Sequence, residues 1–321
     1  MNESVTNTNM QHVLLLALSL FAVIQGASLS THFSERLAEG FRLSKYIVGF
    51  IVVSFISILP ETFIAIGAAF QGDASLGIGT ILSSNVADLT LIFGIVAFVA
   101  GKKGLKIEKS TLKKLYVYPL FLAIPGLLAL DGSFTRSEGI ALIIIGVIFY
   151  IFTFKKSIGL SSNSPETKHK WRNAVFLVLS MALLLLGAHF TVESTLGLAD
   201  AVGISATLIG VVIVALGTTI PELFFSVKAV RRKRPELAIG DLLGSVLADA
   251  TIVIGLVALV NPVTFPQRIA YIAGGFMVAA SVLLLYFFRS KLRVGRQEAL
   301  LLASVWVVYI AFEFLFSGLD W

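Results

Sequence analysis

The chain has 321 residues, 57% of them hydrophobic and only 14% charged, with a mean hydropathy of +0.92; a soluble domain carries about 25% charged residues, so this composition belongs to an integral membrane protein. The formal net charge of +6 does not point to nucleic acid, because the basic residues fall in short loops between apolar segments. Absent cysteine excludes disulfides and thiolate metal sites, and the four scattered histidines, His12, His32, His169 and His189, include no pair at metal-ligand spacing and read as solvated or capping groups.

The opening stretch, MNESVTNTNMQH, lacks the positive start of a signal peptide, so the apolar run after it is expected to stay as a first span, although Gln25-Gly26-Ala27-Ser28 could mimic a cleavage site. About 20 apolar residues cross the hydrocarbon core. Such runs lie near 12–30, 44–70, 75–99, 115–130, 137–154, 172–192, 204–229, 237–260, 268–288 and 298–316, which predicts ten spans. All should be helices, since lipid offers backbone polar groups no partner. Lysines and arginines crowd the loops after spans three, five, seven and nine: Lys102 to Lys114, Lys155 to Arg172, Arg231 to Arg234 and Arg289 to Arg296. Intervening loops such as Gln71-Gly72-Asp73-Ala74 have almost none. The positive-inside rule puts the basic loops in the cytoplasm and both termini outside. The short termini and missing organellar signal favour a prokaryotic plasma membrane.

Four acidic residues sit inside these apolar runs: Glu61, Asp88, Glu222 and Asp249. A carboxylate at the bilayer centre costs about 2.5–3.5 kcal/mol on insertion scales, so an intramembrane acid marks a functional site. Glu61 and Glu222 lie 161 residues apart, and so do Asp88 and Asp249. The same shift overlays Gly26 on Gly187, Gly49 on Gly210, Pro60 on Pro221, Gly79 on Gly240, Ser84 on Ser245 and Gly94 on Gly255. Each copy holds five spans, an odd number, so the second must enter the membrane inverted. Inverted repeats around a midplane site are typical of secondary transporters. The expected division is a first repeat over 1–156 (motif region about 49–94), a cytoplasmic linker over 157–171 and a second repeat over 172–321 (motif region about 210–255). Within the linker, Ser161-Ser162-Asn163-Ser164-Pro165-Glu166 is the polar stretch.

The first motif reads Ser54-Phe55-Ile56-Ser57-Ile58-Leu59-Pro60-Glu61, and its partner Ala215-Leu216-Gly217-Thr218-Thr219-Ile220-Pro221-Glu222. Each proline frees the carbonyl four residues earlier, on Ile56 and Gly217. Carbonyl, hydroxyl and carboxylate together make an all-oxygen site suited to a hard cation such as Ca²⁺ or Na⁺. A proline kink by itself is often only a packing device; a Pro-Glu pair repeated at matched depth is more specific. The second motif reads Gly79-Thr80-Ile81-Leu82-Ser83-Ser84-Asn85-Val86-Ala87-Asp88, and its partner Gly240-Asp241-Leu242-Leu243-Gly244-Ser245-Val246-Leu247-Ala248-Asp249. Ser84 and Asp88, like Ser245 and Asp249, are four apart and share a helix face. Small residues here also serve close helix packing. Asp241, next to a basic loop, is expected at the interface rather than among the ligands.

These motifs resemble the two alpha-repeats of the cation/calcium exchanger superfamily, whose pattern is Gly-Thr-Ser-x-Pro-Glu and Gly-Asn-x-x-Gly-Ser-Asn-x-x-Asn/Asp. The resemblance implies an all-α membrane protein, ten transmembrane helices in two inverted five-helix repeats, acting as a secondary antiporter of Ca²⁺. By that resemblance Glu61 and Glu222 are the central Ca²⁺ carboxylates, and Ser57 and Thr218, the latter followed by Thr219, match ligand positions. Ser84, Ser245, Asp88 and Asp249 line neighbouring ion sites, and Ser54 and Ala215 offer backbone carbonyls to sodium. Departures occur at Ile56 for the motif glycine, Ile58 for a sodium-ligating serine and Val246 for asparagine. Asp88 stands where many sodium-coupled members have asparagine. Na⁺ is the first choice of counter-ion, with H⁺ the alternative and K⁺ involvement open. The implied partners are inorganic cations and the lipid bilayer. No cofactor, catalytic residue, nucleic acid or obligate protein partner is implied.

Two other classes compete. A cation channel would also place acids in a cavity, but would not drive uphill exchange. An intramembrane aspartyl protease could pair Asp88 with Asp249, and Ile239-Gly240-Asp241 resembles its Gly-Asp element. That reading leaves the paired Pro-Glu motifs and the inverted repeat without a use.

Overall fold

A computed structural model describes residues 2–41, 43–70, 74–155, 170–201 and 219–316. Eight helices among the described residues are long and apolar enough to cross a membrane, and a bent pair makes a ninth. The continuous ones are α1 (Asn2–Gly40), α4 (Gly77–Val99), α5 (Thr111–Asp131), α6 (Arg136–Phe154), α7 (Lys170–Ala201), α9 (Pro235–Val260), α10 (Gln267–Lys291) and α11 (Arg296–Phe316). The bent pair is α2 (Lys45–Ser57) with α3 (Leu59–Phe70), whose axes differ by 41°. The remaining expected span, 204–229, is described only from Thr219 onward, as α8 (Ile220–Arg231). Most of the expected linker over 157–171 lies outside the described residues.

The centre of the bundle is set by burial. In α4 and α9, 78% of the span is buried, against 28% in α1 and 22% in α11. The reason is visible in the sequence: α4 and α9 carry the small and polar motif residues, which pack against protein. By contrast α1 turns Leu14, Leu18 and Phe21 outward, and such side chains suit lipid. At Asp88 the α-helical ladder of α4 gives way to a π-helical turn, Asp88–Ile92, and at Asp249 α9 does the same over Asp249–Val253. Single π turns of this kind concentrate at functional sites. Both begin on the intramembrane aspartates.

Glycines set how closely the helices approach. A Cβ at Gly240 would collide with the Tyr46 carbonyl, and one at Gly244 with the Phe50 carbonyl, so α9 lies directly on the backbone of α2. Gly26 of α1 faces the Leu184 backbone of α7, and Gly187 of α7 faces the Val23 backbone of α1. Gly94 meets the Ala299 carbonyl, and Gly255 meets the Gly139 carbonyl. The Gly26/Gly187 and Gly94/Gly255 pairs are each one arrangement used twice, as two inverted halves require. Short strands outside the spans tie the halves together. β1 (Leu105–Lys106) pairs antiparallel with β4 (Arg293–Val294), and β2 (Ser133–Phe134) with β3 (Val263–Thr264).

Overpacking such a contact costs about 1–3 kcal/mol. Gly240→Val is therefore expected to lower the melting temperature in detergent. Gly275→Ala, at a position where a new Cβ meets nothing within 4 Å, is expected to leave it unchanged or raise it, since alanine outranks glycine in a helix by about 1 kcal/mol. Thermal-shift assays on both variants check the contrast.

Candidate functional site

The site is built from two helix beginnings. Pro60 cannot donate a backbone N–H to the Ile56 carbonyl, and α2 ends just before it, at Ser57. The Ile58 N–H closes instead on the Ser54 carbonyl at 3.1 Å, and the Thr62 N–H on Ile58 at 2.9 Å. Glu61 thus falls in the first turn of α3. Pro221 opens α8 in the same way, with Glu222 in its first turn and the Leu223 N–H on the Thr219 carbonyl at 3.0 Å. A helix N-terminus carries partial positive charge, which favours a carboxylate at that position. Each glutamate also accepts its own backbone N–H.

Five acids gather between these helix ends and the central pair α4 and α9: Glu61, Asp88, Glu222, Asp241 and Asp249, none more than 3% exposed. Glu61 feels the charges of Glu222, Asp249 and Asp88. Asp88 feels those of Glu222, Asp249 and Asp241. Glu222 is the common neighbour, also acting on Asp241 and Asp249. Among the described residues no lysine, arginine or histidine forms an ion pair with any of the five. Each also has a buried oxygen without a hydrogen-bond partner: Glu61 Oε2, Asp88 Oδ1, Glu222 Oε2, Asp241 Oδ2 and Asp249 Oδ1.

Hydroxyls fill the space between the acids. Ser57 Oγ lies 3.1 Å from Ser245 Oγ, 3.1 Å from the Ser54 carbonyl and 3.4 Å from Asp241 Oδ1, and next to Glu222. It has one proton for all these acceptors. Ser84 Oγ donates to the Ile81 carbonyl at 2.9 Å, and Thr219 is buried at the edge of α8. The Ser54 carbonyl already accepts from the Ile58 N–H and Ser57 Oγ. Thr218 and Ala215 lie outside the described residues. The structure therefore brings Glu61, Glu222, Asp88, Asp249, Ser57, Ser245, Ser84, Thr219 and Ser54 into one buried region. No three acidic or histidine side chains among the described residues form a group able to hold a metal ion by themselves, so an ion there must also draw on hydroxyl and carbonyl oxygens.

Asp241, expected near the basic loop, is fully buried within the protein, because Gly240 and Gly244 draw this part of α9 under α2, where Ser57 reaches it. Sequence reasoning also missed four residues. Ser226 is buried one turn beyond Glu222, a spacing that could have revealed it. Asn85 lies inside a quoted motif, and neither its amide nitrogen nor its oxygen has a partner. Tyr118 and Tyr150 donate to the carbonyls of Leu243 and Gly244, both at 2.7 Å, and no local sequence signal marks them.

The family model described as sodium/calcium exchanger protein matches residues 11–155 and 172–315. The inner membrane protein YrbG of Escherichia coli is 26% identical, with 94% of this chain and 97% of that protein covered. The sodium/calcium exchanger MaX1 of Methanosarcina acetivorans is also 26% identical, covering 94% and 98%. The putative antiporter CaxA of Alkalimonas amylolytica is 28% identical, covering 92% and 96%. Among solved structures, the sodium-calcium exchanger NCX_Mj superposes with a TM-score of 0.82 at 26% identity, over 94% of this chain and 99% of the other.

Unpaired buried charge is costly, by about 1–3 kcal/mol or more for a group without its partner. Glu222→Gln removes the charge that all the others feel. It is expected to raise the melting temperature of the protein in chelator-treated buffer at pH 8, read by differential scanning fluorimetry. A lower melting temperature would mean that the carboxylate has a structural partner instead.

Proposed function

The chain belongs to the sodium/calcium exchanger family, and from that footing we propose that it is a secondary antiporter exchanging Ca²⁺ against Na⁺ by alternating access. What supports this is the placement of Glu61 and Glu222, each buried at the start of a half-helix and near enough for their charges to interact, where the described protein supplies no counter-charge. A divalent cation between them is held by two carboxylates with help from Ser57 and Thr218. Oxygen donors of this kind replace the hydration shell of a hard cation. Asp88 and Asp249, with Ser84, Ser245, Thr219 and the carbonyls of Ser54 and Ala215, form the flanks that hold or release the counter-ion. An empty cluster of like charges repels itself, so occupancy by cations favours its closure.

The moving part in this reading is the pair α1 and α7. Their glycines let them cross closely, and their outer faces carry apolar side chains suited to lipid. Sliding of this pair over the core opens the site to one side and then the other. The basic loops face the cytoplasm by the positive-inside rule. H⁺ in place of Na⁺ is the second reading, favoured by Asp88, an added carboxylate where asparagine would suit sodium coupling.

Uptake of ⁴⁵Ca²⁺ into proteoliposomes under imposed Na⁺, K⁺ and pH gradients, applied in turn, tests class and coupling together. Uphill uptake driven by one opposing gradient is expected, and a simple pore cannot produce it. Glu222→Ala is expected to abolish this flux with normal assembly on size-exclusion chromatography; normal flux in that variant would refute the central assignment. The chain has no cysteine of its own, so orientation is read with single probes. Lys102→Cys is expected to react with an impermeant maleimide from the cytoplasmic side only, and Asp131→Cys from the outside only.

A further inference from the structure

We propose that Asp241, with Ser226 and Ser57, forms a monovalent-cation site on the flank of the acidic cluster nearest the 231–234 loop. The inference rests on the antiporter reading above and assigns part of its counter-ion binding to Asp241 and Ser226, which lie outside the two Pro-Glu motifs. Asp241 lies six residues into α9 from Pro235, about 9 Å along the helix axis. Asp249 lies about 12 Å further on by the same rise. Asp241 therefore extends the cluster toward the basic loop rather than thickening its centre.

Its surroundings lack what a buried carboxylate needs. Oδ2 has no partner, and Oδ1 has only Ser57 Oγ at 3.4 Å. The single Ser57 proton is also claimed by the Ser54 carbonyl at 3.1 Å, with Ser245 Oγ at the same distance. Ser226 Oγ is fully buried and near enough to Asp241 to lend it a weak donor interaction, but it has no partner at ordinary hydrogen-bonding distance. Ser226 sits four residues beyond Glu222 on α8, so both present the same helix face. The basic residue that turns back from the loop, Arg234, is engaged by Glu35. Nothing positive among the described residues pairs with Asp241.

Oxygens that share a hard cation at about 2.4 Å stand about 3.4 Å apart on adjacent corners of its shell. The separation of Ser57 Oγ from Asp241 Oδ1 is 3.4 Å, long for a hydrogen bond to a carboxylate and suited to two ligands of one ion. One carboxylate with neutral hydroxyls balances one positive charge. The site also answers a loss. Ile58 and Val246 are buried and apolar where the exchanger motifs carry serine and asparagine, while Asp241 stands at the asparagine of Gly-Asn-x-x-Gly-Ser-Asn. Polar side chains lost at two positions are offset by a charge gained at a third.

The test compares two fluxes in proteoliposomes. ⁴⁵Ca²⁺/Ca²⁺ self-exchange moves no counter-ion, whereas net ⁴⁵Ca²⁺ uptake is driven by Na⁺, K⁺ or H⁺ in separate arms. Asp241→Asn keeps the side-chain shape and is expected to lower the ratio of driven uptake to self-exchange by about tenfold, the loss of one charge-assisted contact. The Hill coefficient for the driving ion should also fall by about one. Ser226→Ala is expected to raise the half-saturating concentration of the same ion about threefold. The arm that shifts identifies the ion as Na⁺, K⁺ or H⁺. An unchanged Hill coefficient and half-saturation in Asp241→Asn would overturn the proposal, as would equal loss of both fluxes with Ser226→Ala like wild type. If Asp241→Asn does not assemble, Ser226→Ala decides alone: a shift supports the site and no shift overturns it. Absence of Ca²⁺ self-exchange in the wild-type protein would instead sink the antiporter reading itself.

Discussion

Five carboxylates are packed together in the core of this protein with no basic side chain among the described residues to neutralise them. Charges of one sign in a medium of low dielectric repel strongly, and each has also given up its water. Such an arrangement persists only if the scaffold holds it or a cation enters it. Much of the architecture can be understood as the answer to that constraint. Helix starts are aimed at Glu61 and Glu222, hydroxyls are placed between the acids, and the two best-buried helices, α4 and α9, carry the remaining carboxylates.

The scaffold is rigid where the charges sit. Gly240 and Gly244 let α9 lie against the backbone of α2, and Tyr118 and Tyr150 fasten the α9 carbonyls of Leu243 and Gly244. Tyr309 of α11 plays a related part for α4, with its hydroxyl 2.6 Å from Ser83 Oγ. The α1–α7 pair packs on itself through small residues and has charged contacts to the core at one end. There Glu35 of α1 binds Arg234 and, at 3.5 Å, Lys45, and Arg232 donates to Ser28 Oγ at 3.0 Å. Partly exposed ion pairs of this kind are weak, typically about 0–1 kcal/mol. A tight core beside such a pair of helices is the division of stiffness that the proposed alternating access would use.

The two halves are alike in frame and unlike in chemistry. π turns begin at Asp88 and at Asp249, and matched glycines make matched contacts. Yet Ser57 has Ile58 beside it where the second half has Thr219, and Thr80 of the first half corresponds to Asp241 of the second. Inverted symmetry positions two equivalent sets of backbone, and the side chains on them are free to specialise for different ions.

The sequence alone determined the class, the spans and the pairing of acids. Apolar length, loop charge and a fixed offset of 161 residues are local or periodic properties, written residue by residue. It also marked Glu61, Glu222, Asp88 and Asp249, because an acid inside an apolar run is conspicuous in one dimension. What only the tertiary structure decided is which polar groups meet. Asp241 looks peripheral by its closeness along the chain to the basic loop, but two glycines draw its helix under α2 and bury it. The roles of Tyr118 and Tyr150 were likewise hidden, because their partners are the carbonyls of Leu243 and Gly244, and proximity between separate helices depends on how closely they pack.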